Sequence, residues 1–189
     1  TQGVSSAASD VYKRQLWVWG RNDYGQLGVN DVTQRNTPVQ VFGSATNWKQ
    51  IACGQGHVAA IKTDGTLWLW GDNSTGQLGV NDVIQRNTPV QVFGSATNWK
   101  QVVCGRLHTL AIKTDGTLWT WGHNINGALG INNTTTISTP VTTYYGTSNW
   151  KQVSGGNGHS AAIKTDGTLW IFGDNQFGQI GDNNIGVGS

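Results

Sequence analysis

The sequence repeats itself with a period of 51 residues, and that period decides most of what the chain can become. Leu16, Leu67, Leu118 and Leu169 stand 51 apart. So do Pro38, Pro89 and Pro140, then Trp48, Trp99 and Trp150, then His57, His108 and His159. Residues 16–66 and 67–117 agree at 40 of 51 positions, 118–168 has diverged further, and 169–189 is a fourth copy that stops after 21 residues. A fixed period of this size marks a propeller or solenoid, in which one supersecondary unit recurs and buries its face against its neighbours. Residues 1–15 do not fit the repeat. They read as a non-native or disordered tail and stay outside the fold argument.

Within one unit every signal is for strands. Trp48–Cys53 (A), 57–63 (B), 67–70 (C) and 88–92 (D) are short runs rich in β-branched, aromatic and small apolar residues. Thr63-Asp64-Gly65-Thr66 between B and C is a tight hairpin turn, since Asp-Gly supplies positive φ values. Pro89 places D at an edge or its start at the proline. The chain has no Glu and only 11 Ala, against 27 Gly and 10 Trp, which starves it of helix formers. Four short strands per unit predict an all-β chain, a propeller of about three and a half units with four-stranded antiparallel blades.

The stretch Trp70-Gly71-Asp72-Asn73-Ser74-Thr75-Gly76-Gln77-Leu78-Gly79, followed by Pro89 and then Val103-Cys104-Gly105-Arg106-Leu107-His108-Thr109-Leu110-Ala111-Ile112, resembles the repeat of the regulator of chromosome condensation family. The resemblance covers about Leu16 to Gly181 and recurs in register. It implies a β-propeller, normally closed with seven blades, which would need nearly twice the 189 residues here. The family's plant ultraviolet receptors carry Gly-Trp-Arg-His-Thr motifs whose Trp is the chromophore. The matching positions are Gln55, Arg106 and Asn157, which argues against light sensing here. Another relative, a secreted bacterial inhibitor, implies that one propeller face can grip a protein. With no Met and a fourth copy interrupted after 21 residues, the chain reads as a fragment.

Charge and hydropathy narrow the partners. Twelve Lys and Arg, evenly spread, face ten Asp, giving +2 and no field of the kind nucleic acid requires. No apolar run approaches ~20 residues, so no membrane span is expected. No signal peptide is visible, and the compartment stays open between extracellular and cytoplasmic. His57, His108 and His159 recur once per unit without metal-ligand spacing, so packing and hydrogen bonding inside each blade is the expected role, with no metal and no cofactor. Cys53 and Cys104 are read as buried free thiols. No carboxylate, Ser, Cys or Lys stands in an acid–base or triad pattern, so the chain is read as non-enzymatic.

An antiparallel meander puts the A–B and C–D loops on one face and the B–C turns and D-to-A connectors on the other. The second set hardly changes: Lys-Thr-Asp-Gly-Thr recurs at 62–66, 113–117 and 164–168. Of the 11 differences between the first two copies, six fall in the first set. Change is concentrated where it costs the scaffold least and reaches a partner best. The candidate binding residues are therefore Arg21, Tyr24, Gln55, Arg106, Leu107, His123, Asn157 and Phe177. The expected function is a protein-binding scaffold. A glycan-binding propeller, or a structural segment of a large surface or phage-tail protein, remains as the alternative. An open arc would also expose Trp-rich flanks and self-associate.

Overall fold

The computed structural model describes residues 8–9, 15–146, 148–184 and 186–187. Among them every regular element is a strand, and the strands form four consecutive antiparallel sheets. The first sheet holds β1 (Ala8–Ser9), β2 (Leu16–Gly20) and β3 (Arg35–Gln40). The second holds β4 (Trp48–Cys53), β5 (His57–Lys62), β6 (Leu67–Gly71) and β7 (Arg86–Gln91). The third is β8 (Trp99–Cys104), β9 (His108–Lys113), β10 (Leu118–Gly122) and β11 (Ile137–Thr142). The fourth is β12 (Trp150–Gly155), β13 (His159–Lys164), β14 (Leu169–Asn175) and β15 (Gly186–Val187).

Each complete sheet is an A-B-C-D meander, so a blade takes its outer two strands and its inner two from different copies of the sequence repeat. Strand D begins at Arg86 rather than Thr88, because Arg86 pairs with Gly71 across a register shift. Of the stretch assigned to a tail, Ala8–Ser9 pairs with β2. The rest of 1–14 lies outside the described residues.

The A–B pairing is bulged at one place in each of the second, third and fourth sheets: Trp48 faces Lys62 while Gln50 faces Ile61, and the same shift recurs at Trp99/Gln101 and Trp150/Gln152. The extra residue re-aims Trp48, Trp99 and Trp150 inward, where they are 8%, 2% and 1% exposed. Lys62 closes this end of the blade, its Nζ lying 4.9 Å from the Trp48 ring and 4.0 Å from Trp68. Lys113 and Lys164 repeat the arrangement. The B–C turns at 63–66, 114–117 and 165–168 are also built alike: Asp64 Oδ1 accepts from the Thr66 N–H and hydroxyl at 2.9 and 2.7 Å, and Trp68 Nε1 donates to Thr66 Oγ1 at 2.8 Å. Those two bonds hold the Asp64 carboxyl below the usual carboxylate range.

Three apolar clusters fill the spaces between sheets, and each draws on two neighbouring units. One joins Leu16, Val18, Leu27 and Val41 to Trp48, Val58, Ala60 and Trp70; the next joins Leu69, Leu78 and Val92 to Trp99, Val102 and Trp121. Strand C is therefore buried on both sides at the centre of the arc, as its alternating aromatic and aliphatic residues require.

Candidate functional site

The loop face is assembled from short segments that each blade lends to the next. In every C–D loop the second residue is a buried Asn. Asn73 Nδ2 donates to the Asp82 and Ile84 carbonyls at 2.9 and 3.1 Å, and its Oδ1 accepts from the Leu78 N–H at 3.0 Å. Asn22 and Asn124 make the same three kinds of bond. This folds the loop so that Gly76-Gln77-Leu78-Gly79 inserts toward the following blade.

There the Gln77 carbonyl accepts two hydrogen bonds, from Trp121 Nε1 at 2.9 Å and from Thr109 Oγ1 at 2.8 Å. Because the threonine hydroxyl spends its proton on that carbonyl, it can only accept from His57 Nε2, 3.1 Å away. His57 is thereby the Nε2–H tautomer, and its unprotonated Nδ1 faces Gly54, where an added Cβ would stand 2.5 Å from that nitrogen. His108 repeats the arrangement with Ser160 Oγ at 2.9 Å, and Ser160 donates to the Ala128 carbonyl at 2.8 Å. Burial drives the His57 pKa down to about 4 and that of His108 to about 3. The expected hydrogen bonding inside each blade is thus corrected: His57 and His108 bind the next blade. The hydroxyl that meets each ring is on the second residue of the neighbouring strand B.

The cysteines need a correction too. Cys53 is exposed and Cys104 half-buried, each at the end of strand A of its sheet. Cys104 Sγ lies 3.6 Å from the Ala52 carbonyl. No group of three His, Cys, Asp or Glu capable of holding a metal occurs among the described residues.

Above this frame stand the residues singled out by the repeat comparison. Gln55, Arg106 and Asn157 form a row across three successive A–B loops. Arg106 Nε donates to Gln55 Oε1 at 2.7 Å and its Nη1 to Asn157 Oδ1 at 3.4 Å. The backbone runs parallel to the row: the Gln55 N–H donates to the Arg106 carbonyl at 3.3 Å, and the Arg106 N–H to that of Gly156 at 3.0 Å. All three side chains are exposed.

The C–D loops reach the same row from outside. Tyr24 lies against Gly56 of the next blade, its ring 3.2 Å from where a Cβ would stand, and it is 40% exposed. The Thr75 hydroxyl donates to Gln77 Oε1 at 2.8 Å and lies 3.2 Å from the Leu107 carbonyl, which accepts from the His123 N–H at 2.9 Å. Leu107 and His123 are half-buried. Arg21 is engaged locally, paired with Asp23 and lying 5.7 Å from the Tyr24 ring centroid. Phe177 is at the far end of the arc in the fourth sheet's C–D loop, 83% exposed, its N–H held by Gln179 Oε1 at 2.8 Å.

All eight candidates thus belong to adjoining loops, the Asp174 N–H of the Phe177 loop donating to the Gly158 carbonyl at 2.8 Å, and Phe177 stands last in the series. The repeat comparison passed over the buried asparagines. Their signal was present all the same: Asn22, Asn73, Asn124 and Asn175 are unchanged in four copies while the residues beside them vary.

Comparison with known proteins agrees with this architecture. The model of the RCC1-like domain matches residues 4–187. The chain is similar to the ultraviolet-B receptor UVR8 of Arabidopsis thaliana, 35% identical over 186 residues that make up 96% of this chain and 42% of the receptor. Among solved structures, human WBSCR16 superposes with a TM-score of 0.85 at 23% identity, covering 98% of this chain and 49% of WBSCR16. Prp20p from Saccharomyces cerevisiae gives 0.80 at 24% identity, covering 99% of this chain and 46% of Prp20p. The chain spans less than half the length of each of these proteins. Strand order, repeat and family match coincide, and the chain belongs to the RCC1-like domain family.

Proposed function

We propose that this chain is a non-enzymatic protein-binding scaffold, and that it engages its partner with the face built from the A–B and C–D loops. The observation that carries this reading is the row centred on Arg106. A guanidinium offers five N–H donors, of which Gln55 and Asn157 use two. The rest face an exposed surface next to Leu107, in a row whose Gln55–Gly56 end is covered by Tyr24. An arginine immobilised before binding loses less side-chain entropy on association, and arginine and tyrosine dominate protein-binding hot spots. The chemistry fits a peptide surface that presents a carboxylate or backbone carbonyls next to an apolar side chain. Among relatives, Prp20p has binding properties toward Gsp1p and histones, so the family's architecture serves protein recognition elsewhere.

A displayed peptide library, selected on the full chain, tests the reading. Arg106→Ala and Tyr24→Ala should each weaken selected binders about 10- to 100-fold. Thr114→Ala, an exposed change in a turn of the opposite face, should leave them unaffected. Binders weakened by Thr114→Ala but indifferent to Arg106→Ala would place recognition on the wrong face. A reproducible hit for the same loops on a glycan array would replace the protein partner with a sugar.

A further inference from the structure

A glycine that follows asparagine or aspartate has no Cβ to screen its nitrogen from the side-chain carbonyl carbon before it. The sequence has five such pairs: Asp64-Gly65, Asp115-Gly116, Asn126-Gly127, Asn157-Gly158 and Asp166-Gly167. In four of them the glycine N–H is committed to the carbonyl three residues back. Gly65 donates to Lys62, Gly116 to Lys113 and Gly167 to Lys164 at 3.0 Å, and Gly127 to Asn124 at 2.9 Å. Gly158 is the exception. It sits in the two-residue A–B loop closed by the Gly156 N–H on the His159 carbonyl at 2.9 Å, and its own N–H meets no acceptor among the described residues. The free N–H belongs to the loop position: Gly56 and Leu107, each with a further blade after it, leave theirs unshared as well.

The two asparagines also differ in their side chains. Asn126 is half-buried, whereas Asn157 is exposed with its Oδ1 3.4 Å from Arg106 Nη1. A guanidinium beside that oxygen favours the negative charge the oxygen gains when Cγ is attacked. The exposure is again a property of the position, since Arg106 is exposed with described loops on both sides of it. The equivalent loops carry Gln55 and Arg106 where this one carries Asn157, so the reactive pair is peculiar to the third copy.

We propose that Asn157 is a site of spontaneous covalent modification, converting to aspartate and isoaspartate, and that the new carboxylate engages Arg106. The Gly158 nitrogen gives up its proton and bonds to Asn157 Cγ. The Cγ–Nδ2 bond breaks, and the amide leaves as ammonia with that proton. Water then adds to either carbonyl of the cyclic imide and opens it. Nothing is oxidised or reduced, and water is the co-reactant. The product sets a carboxylate beside the guanidinium where an amide oxygen stood, a charge-assisted pair in place of a neutral contact. The effect on recognition rests on the function proposed above: donors that meet a partner's carboxylate become engaged within the row. Binding through Arg106 therefore declines with the age of the molecule, and irreversibly.

The full chain, incubated at physiological pH and temperature, is followed by peptide mapping in the mass spectrometer and by labelling with an isoaspartyl methyltransferase. Asn157 should convert about tenfold faster than Asn126, whose glycine must first give up a hydrogen bond. In the urea-unfolded chain both glycine nitrogens are free, and the two rates should come together. Peptides selected on freshly prepared chain read the consequence. Asn157→Asp should weaken those that depend on Arg106 about fivefold. Aged chain should lose affinity in proportion to its converted fraction. An Asn157 that stays intact in the folded chain, or that converts no faster there than Asn126, overturns the site. Arg106-dependent peptides that bind Asn157→Asp as tightly as the parent overturn its effect on recognition. Peptides indifferent to Arg106→Ala overturn the proposed function instead, while the mass measurement still decides the modification.

Discussion

Acid should loosen this fold well before its carboxylates titrate, and the effect should come from His57 and His108. Both rings are neutral in the folded chain, with pKa values of about 4 and about 3 against 6.5 for an ordinary imidazole. Unfolding releases them to take up protons below 6.5, so their contribution is complete above that value. It falls as the pH drops and is exhausted near about 4 for His57 and about 3 for His108. At about pH 5 an unfolded imidazole is almost fully protonated and a folded one is not, which costs about 2 kcal/mol per ring. The two together remove about 4 kcal/mol relative to pH 7.5, equal to a drop of about 2 M in a urea midpoint for a chain of this size. Asp64, Asp115 and Asp166 have depressed pKa values, and their contribution is lost only at lower pH. Urea titrations at the two pH values, with tryptophan fluorescence as the readout, measure the shift. The control is the double variant His57→Gln, His108→Gln, whose side chains do not titrate. Its midpoint should move about 2 M less than that of the parent chain. Equal shifts in parent and variant would refute the assignment.

The junction between blades yields two further expectations. Trp121→Phe should cost only about 1 kcal/mol, because the Gln77 carbonyl keeps its bond from Thr109 and Phe172 already stands at the equivalent place in the fourth sheet. Thr109→Val, nearly the same shape, should cost about 2 kcal/mol, since it removes the acceptor for the buried His57 Nε2–H. Urea midpoints at neutral pH rank the two, and a larger loss from Trp121→Phe would reverse the argument. Asn73→Ala deprives three backbone groups of their partner and should destabilise by about 3 kcal/mol. Its signature is early amide exchange in residues 72–85, seen by hydrogen–deuterium mass spectrometry; uniform exchange along the chain would count against a local role.

Much of this was legible in the sequence because repetition multiplies weak signals. A single Leu67-Trp68-Leu69-Trp70 could be a strand or a helix fragment, but the same alternation after every Asp-Gly turn leaves only a hairpin. What stayed hidden is whatever joins one unit to another. His57 and Thr109 are 52 residues apart, and nothing local to either says that they meet. The C–D loops mixed two kinds of residue that sequence comparison separates only by their variability. Asn22 is buried and fixes the loop, while Arg21 beside it is exposed and paired with Asp23. Cys53 shows the converse limit: its type suggested burial, and it is exposed.

The offset between the 51-residue repeat and the hydrogen-bonded blade has a consequence for how such chains change size. Every repeat carries an inserting loop, a tryptophan or phenylalanine to meet it, and the two strands that complete each neighbouring sheet. A duplicated or deleted repeat therefore arrives with both of its junctions already matched, wherever the genetic break falls. Length can drift by whole units without any compensating substitution, and closure of the circle is the constraint that selects a number.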